Sequence, residues 1–180
     1  VSFLSVGGVP ANKAYRFYNG WLGNRNEAAS AATVLEFSSS RDGGLGDALP
    51  AGTVRVYIRD AKGQPQFIGE SQIGHTPMGS KLALTTGQAF DVKVKPTLEA
   101  RTKISDSKWR TTMRYTLTNA RPQPVTVNLV QAGVDFGWAD TRIVEESLKS
   151  ARTSADRVEW QVPVPANGET VVTAVFETRY

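Results

Sequence analysis

The stretch from Trp109 to Val130, WRTTMRYTLTNARPQPVTVNLV, decides the fold class. Its apolar residues Trp109, Met113, Tyr115 and Leu117 alternate with Arg110, Thr112, Arg114, Thr116 and Thr118. That period of two sends successive side chains to opposite faces of a strand. Asn119-Ala120-Arg121-Pro122-Gln123 carries the residue types that reverse a chain, and Val125, Val127 and Leu129 resume the alternation. The pattern predicts a β-hairpin with one face in a core and the other in water.

The same alternation recurs outward from this segment. Upstream, Phe90, Val92, Val94, Pro96, Leu98, Ala100 and Ile104 form one face of a long strand, and Asp91, Lys93, Lys95, Glu99, Arg101 and Lys103 the other, with a bend expected at Pro96. A two-residue turn at Asp106-Ser107 sets the register by counting: Ile104 opposite Trp109, Ala100 opposite Met113, Leu98 opposite Tyr115, Glu99 opposite Arg114 and Lys103 opposite Arg110. Val54 to Arg59 and Phe67 to Ile73 read as a further hairpin around Asp60-Ala61-Lys62-Gly63. Val158, Trp160, Val162 and Val164 predict a last hairpin across Pro165-Ala166-Asn167-Gly168, with Trp160 against Ala174. Short strands are expected at Ser2 to Val6, Lys13 to Tyr18 and Thr33 to Phe37, a helical turn in NEAASAA (Asn26 to Ala32), and a long loop from Ser38 to Pro50. Roughly a dozen strands exceed what one open twisted sheet holds. The reading is an all-β, antiparallel β-sandwich with two lobes: an N-terminal β lobe over residues 1–97, and an immunoglobulin-like sandwich lobe over residues 98–180 that lacks the Cys…Trp…Cys signature.

Composition narrows the function classes. A chain of 180 residues buries a core without covalent staples, and the absence of cysteine excludes disulfides, thiol nucleophiles and thiolate metal sites. The balance of 21 Lys+Arg against 17 Asp+Glu, a net charge of +4, falls short of a dedicated nucleic-acid binder. The apolar runs are only a few residues long, so no membrane span is expected in this chain. Its start at Val1 suggests a trimmed N-terminus or a piece of a longer protein.

Reactive side chains do not assemble into a recognisable catalytic set. His75 is the one side chain that titrates near neutrality unaided, yet Ser71, four residues away in a strand, carries no nucleophile-elbow signature. Asp135 and Asp140 flank Phe136-Gly137-Trp138, and Glu145-Glu146 follow, without the oxygen-ligand spacing of a calcium loop. Asp135-Phe136-Gly137 matches a kinase tripeptide without any of its companions, and Gly43, Gly44 and Gly46 precede no helix that would cradle a phosphate. Neither catalytic residue, metal nor cofactor is assigned. Trp109 and Trp160 fall in phase with core positions, whereas Trp138 lies in a Gly-containing loop and is kept as a surface aromatic. The candidate ligand-binding residues are Lys93, Lys95, Arg101, Lys103, Arg110 and Arg114, on the outward face of the paired strands, together with Trp138. The repulsive Lys103–Arg110 pair is one that an acidic ligand would relieve.

The chain also resembles the C-terminal part of a bacterial family of unknown function labelled mucoidy-inhibitor-like (domain of unknown function 4139). The resemblance is carried by Leu35-Glu36-Phe37, Gly44-Leu45-Gly46, the run LPAGTVRVY from Leu49 to Tyr57, Phe67-Ile68-Gly69-Glu70, His75-Thr76-Pro77 and Gly87 to Val92. It continues through Tyr115 to Asn119 and Val162 to Glu169. It implies a bacterial periplasmic, cell-envelope or secreted location and a link to exopolysaccharide physiology, and supplies no catalytic residue. The expected function is a non-catalytic β-sandwich domain that binds or assembles, with an acidic envelope polysaccharide, a protein partner or further copies of itself as partners and no nucleic acid. The alternatives are a glycan-active envelope hydrolase using His75 or the loop carboxylates, and a subunit that self-assembles by strand exchange.

Overall fold

The two strands of the quoted segment both form, but they do not pair with one another. The computed structural model describes residues 6–135 and 139–180. Its strands are β1 (Ala11–Asn19), β2 (Ala29–Ser38), β3 (Gly52–Arg59), β4 (Pro65–Ile73), β5 (Lys81–Ser105), β6 (Lys108–Asn119), β7 (Val125–Gln131), β8 (Asp140–Glu146), β9 (Ala151–Ser154), β10 (Arg157–Val164) and β11 (Gly168–Arg179). The fold is all-β, with no helix among the described residues. Nine strands form a mostly antiparallel sheet in the order β8-β11-β6-β5-β2-β1-β7-β10-β9, and β3 and β4 form a two-stranded sheet. The helical turn expected at Asn26 to Ala32 is overturned, because β2 begins at Ala29. Ala31 is fully buried there, so core packing overrides the helix preference of an alanine-rich segment. The strand expected at Ser2 to Val6 falls almost wholly outside the described residues.

Two of the four expected hairpins hold. β3 pairs with β4, and β5 with β6. The quoted segment is instead an arch: β6 pairs with β5 and β11, β7 with β1 and β10, and β5, β2 and β1 stand between them. The C-terminal pair is also an arch, since β10 joins β7 and β9 while β11 joins β6 and β8. Trp160 therefore lies opposite Leu129, and Ala174 opposite Met113, correcting the counted Trp160–Ala174 pair.

Asn119 fastens the two arches together. Its Nδ2 donates to the carbonyls of Gln123 and Pro165, each at 2.9 Å, and its Oδ1 accepts the Arg121 N–H at 3.0 Å. The Asn167 N–H closes the junction on the Arg121 carbonyl at 2.9 Å. Side-chain hydrogen bonds thus satisfy backbone groups that a hairpin ladder would have paired.

The strands fall into two compact units, one built from the chain up to Ala14 and from Ala32–Gln88, the other from Tyr15–Ala31 and Ala89–Tyr180. The boundary drawn between residues 97 and 98 lies inside β5, within the second unit.

In the second unit the arches send Met113, Tyr115 and Leu117 of β6, Val127 and Leu129 of β7, Trp160 and Val162 of β10, and Phe176 of β11 into one core, all with no exposed surface. The rings of Tyr115 and Trp160 meet with centroids 5.7 Å apart. The Tyr115 hydroxyl donates to Gln131 Oε1 at 2.6 Å, which also accepts from Asn19 Nδ2 at 2.8 Å. Burial pushes the Tyr115 hydroxyl far above its ordinary titration range. The edge strands β8 and β9 are neighbours in sequence, and Arg152 of β9 donates to the Thr141 carbonyl of β8 at 3.1 Å. It also donates to the carbonyls of Ser154 and Ala155. One guanidinium therefore occupies backbone acceptors that an added strand would seek.

In the first unit the Asp60 carboxylate holds the β3–β4 turn, accepting the N–H groups of Lys62 at 2.9 Å and Gln64 at 2.8 Å. These backbone bonds, Gln64's foremost, keep its carboxyl below the usual value against some desolvation. Gly69 of β4 passes so close to β5 that a Cβ there would lie 2.3 Å from the Thr86 carbonyl oxygen. Ser71 Oγ adds a hydrogen bond to the Thr85 carbonyl at 2.9 Å.

Candidate functional site

The register of β5 against β6 decides which of the candidate cations share a face. Lys93 lies opposite Thr118, Lys95 opposite Thr116 and Thr97 opposite Arg114, as a regular ladder. Glu99 and Ile104 are then extra residues, with register shifts between Leu98 and Ala100 and between Lys103 and Ser105. Each bulge moves the pairing by one residue, and an unpaired residue in one strand flips all later side chains to the other face. The counted partners are corrected accordingly: Leu98 meets Met113, Ala100 meets Thr112, Thr102 meets Arg110 and Lys103 meets Trp109. The repulsive Lys103–Arg110 pair does not exist.

The basic surface is consequently divided. Lys93, Lys95, Arg110 and Arg114 share one face, whereas Arg101 and Lys103 lie with Thr111 and Trp109 on the other. Arg101 stacks 5.3 Å above the Trp109 ring, which is only half-buried, so the in-core reading of Trp109 gives way to a cation–π cover. Lys103 pairs with Asp106 at 2.9 Å. Trp138 lies outside the described residues, as do Phe136 and Gly137.

Phe90 departs furthest from its expected place, since it is 80% exposed while Ala89 and Val92 on either side are buried. The inward phase breaks between these two residues, which leaves Phe90 on the solvent side of β5. Ala100 and Ile104 are likewise exposed beyond Glu99.

Carboxylates neutralise two of the four remaining candidate cations, Arg114 and Arg110. Glu99 pairs with Arg114 from its bulge position. Glu177 of β11 binds Lys108 at 2.6 Å and Arg110 at 3.3 Å. The hydrogen bond from Lys108 leads in holding the Glu177 carboxyl below its ordinary value, against desolvation and with help from Arg110. Nothing in the local sequence joins Glu177 to Arg110; the β6–β11 pairing does. Among the described residues Lys93 and Lys95 carry no ion pair, and both are exposed.

The residues weighed for catalysis are divided between the two units. His75 belongs to the first unit, where its Nδ1 accepts the Ala51 N–H at 3.4 Å. Asp135, Asp140, Glu145 and Glu146 belong to the second. Asp140 pairs with Arg142 at 2.8 Å, and the Asp135 N–H donates to Asp156 at 3.3 Å. Glu146 proves structural in a way the sequence reading missed: it accepts the Trp160 indole N–H at 3.1 Å, the Ser150 N–H at 3.1 Å and an ion pair from Lys149 at 3.3 Å. Desolvation opposes its charge, but the hydrogen bonds from Ser150, Trp160 and Lys149 together outweigh it and hold its carboxyl below the usual value. Among the described residues no group of three or more His, Asp or Glu side chains is placed to hold a metal ion. No described helix is long and apolar enough to cross a membrane.

Comparison of the chain with protein-family models, with curated proteins and with solved structures returned no match.

Proposed function

We propose that this chain is a non-catalytic, immunoglobulin-like β-sandwich domain of a bacterial cell-envelope protein, related to the mucoidy-inhibitor-like family, that acts by binding. Two observations support the sandwich. The rings of Tyr115 and Trp160 meet although their strands are far apart in sheet order, and two arches carry the chain across a common core, as between the layers of a sandwich. The family relation rests on the LPAGTVRVY and HTP runs, and the periplasmic, envelope or secreted location rests on that relation.

The observation that carries the binding reading is the outward row of Lys93 and Lys95 beside Thr118 and Thr116. Two exposed ammonium groups two residues apart, flanked by hydroxyls and without carboxylate partners among the described residues, suit an acidic envelope polysaccharide whose carboxylates and hydroxyls they would engage. Such binding is weak and sensitive to salt. It is tested by titrating a soluble polyuronate against the wild type and a Lys93→Glu, Lys95→Glu variant at low and high salt. Binding that weakens in salt and is lost in the variant supports the reading; equal binding by both proteins, or by neither, removes it.

A further inference from the structure

The β3–β4 ribbon of the first unit leaves one backbone edge open. β4 lies against β5 through Gly69 and Ser71, whereas β3 pairs with β4 alone among the described residues. The Asp60 N–H donates to the Gln64 carbonyl at 2.9 Å and fixes the phase of the ladder. Val54, Val56 and Ile58 therefore turn their backbone groups toward β4, and Thr53, Arg55, Tyr57 and Arg59 turn theirs outward. Among the described residues no backbone group meets that outward row. The usual guards of an edge are missing, since β3 carries no proline or lysine, and the extra residue of the bulge, Ile68, belongs to β4. Its two charged side chains are engaged within the ribbon, Arg55 by Glu70 at 3.1 Å and Arg59 by the Gly63 carbonyl at 2.9 Å. Tyr57 and Phe67 meet edge to face, 5.6 Å between centroids, yet are 54% and 55% exposed, and Ile58 is 53% exposed. That is a large apolar surface to leave open to water on one ribbon.

We infer that two copies of this chain associate edge to edge through β3, as an antiparallel two-fold dimer centred on Val56, without exchange of strands. The sequence of β3 selects this occupant because it complements itself. With the axis at Val56, that residue faces its own copy, Val54 faces the partner's Ile58, Arg55 faces the partner's Tyr57 and Thr53 faces the partner's Arg59. Opposite residues project to the same face of a sheet. Val54, Val56 and Ile58 then make one apolar row across both copies, and Arg55 covers the partner's Tyr57 as a cation–π pair while Glu70 of its own chain balances its charge. Moving the axis one residue toward either end sets Arg55 against the partner's Arg55 or the partner's Arg59, which like charge disfavours. An axis midway between residues would set outward backbone groups against groups already spent on β4. The interface is isologous and closes on itself as a dimer. It uses residues of the first unit alone, so it stands independently of the polysaccharide reading at Lys93 and Lys95 in the second.

Sedimentation equilibrium of the full chain from about 10 μM to about 1 mM, the range of a weak association, should show a mass climbing toward that of two chains. Tyr57→Lys, at an exposed position, sets a cation against the partner's Arg55 and should weaken the dimer at least about tenfold, or about 1.4 kcal/mol. Tyr57→Glu sets a carboxylate there and should weaken it less. The chain has no cysteine, so one introduced thiol reports the register. A directly opposed pair of this kind brings Cα atoms to about 4.5 Å, within disulfide reach. Val56→Cys should therefore form a linked dimer on mild oxidation, and Arg59→Cys, whose two copies lie at opposite ends of the paired strands, should not. A wild type that stays monomeric throughout, equal weakening by Tyr57→Lys and Tyr57→Glu, or linkage of Arg59→Cys as fast as that of Val56→Cys would overturn the inference. The sedimentation result on the wild type decides even where Val56→Cys fails to fold.

Discussion

Replacing Asn119 by alanine should cost the fold about 2–4 kcal/mol, because this one amide joins two arches. The side chain is 2% exposed and makes three hydrogen bonds, donating to Gln123 and Pro165 and accepting from Arg121. A typical intramolecular hydrogen bond contributes about 0.5–1.5 kcal/mol net, and a buried group left without its partner costs about 1–3 kcal/mol. Water reaching the loops recovers part of that loss, which places the sum in the stated range. Asn119→Asp separates the two halves of the effect: it keeps the acceptor for Arg121 and turns an oxygen toward two carbonyls, so it should destabilise at least as much as alanine. Urea unfolding followed by tryptophan fluorescence gives both values, provided the slope with denaturant is unchanged. A loss below about 0.5 kcal/mol for the alanine variant would mean that the junction does not hold the arches, and the argument would fail.

Trp160→Ala should destabilise by about 3–5 kcal/mol, since a fully buried ring is removed; Trp160→Phe, which mainly strips the indole bonds to Glu146 and Leu148, should cost less in the same chemical melt. Stability should fall with acid. The carboxyls of Glu146 and Glu177 titrate below their unfolded values, so their contribution is present above the ordinary carboxylate range and is lost as pH drops through the folded values. Urea midpoints measured from about pH 7 down to about pH 3 should show a shallower decline in Glu146→Gln than in the wild type, and an equally steep decline would contradict the role given to Glu146.

Much of the strand content was legible because alternation reports which side chains face a core. Met113, Tyr115, Leu117, Val127, Leu129 and Trp160 are all buried where their phase puts them. Alternation does not say which backbone edges pair, and Asn119 with Pro122 suits an arch as well as a hairpin, so the connection of β6 to β7 was misread. Counting a register assumes that every residue is paired, and Glu99 and Ile104 break that assumption. The candidate site inherited the error: its cations were visible, but the bulge at Glu99 sends Arg101 and Lys103 to a different face from Lys93 and Lys95. Glu177 neutralises Arg110 through a strand pairing formed by residues far along the chain. The close approach of Gly69 to Thr86 left no local mark, because it joins strands through residues seventeen positions apart.

The pairing of strands across the two arches is measured most directly by inter-strand nuclear Overhauser contacts between backbone protons. Ladders linking Leu129 with Trp160 and Met113 with Ala174, and none linking Leu117 with Val125, are the predicted result. A continuous ladder from β6 to β7 through Leu117 and Val125 would restore the hairpin and contradict the arched fold.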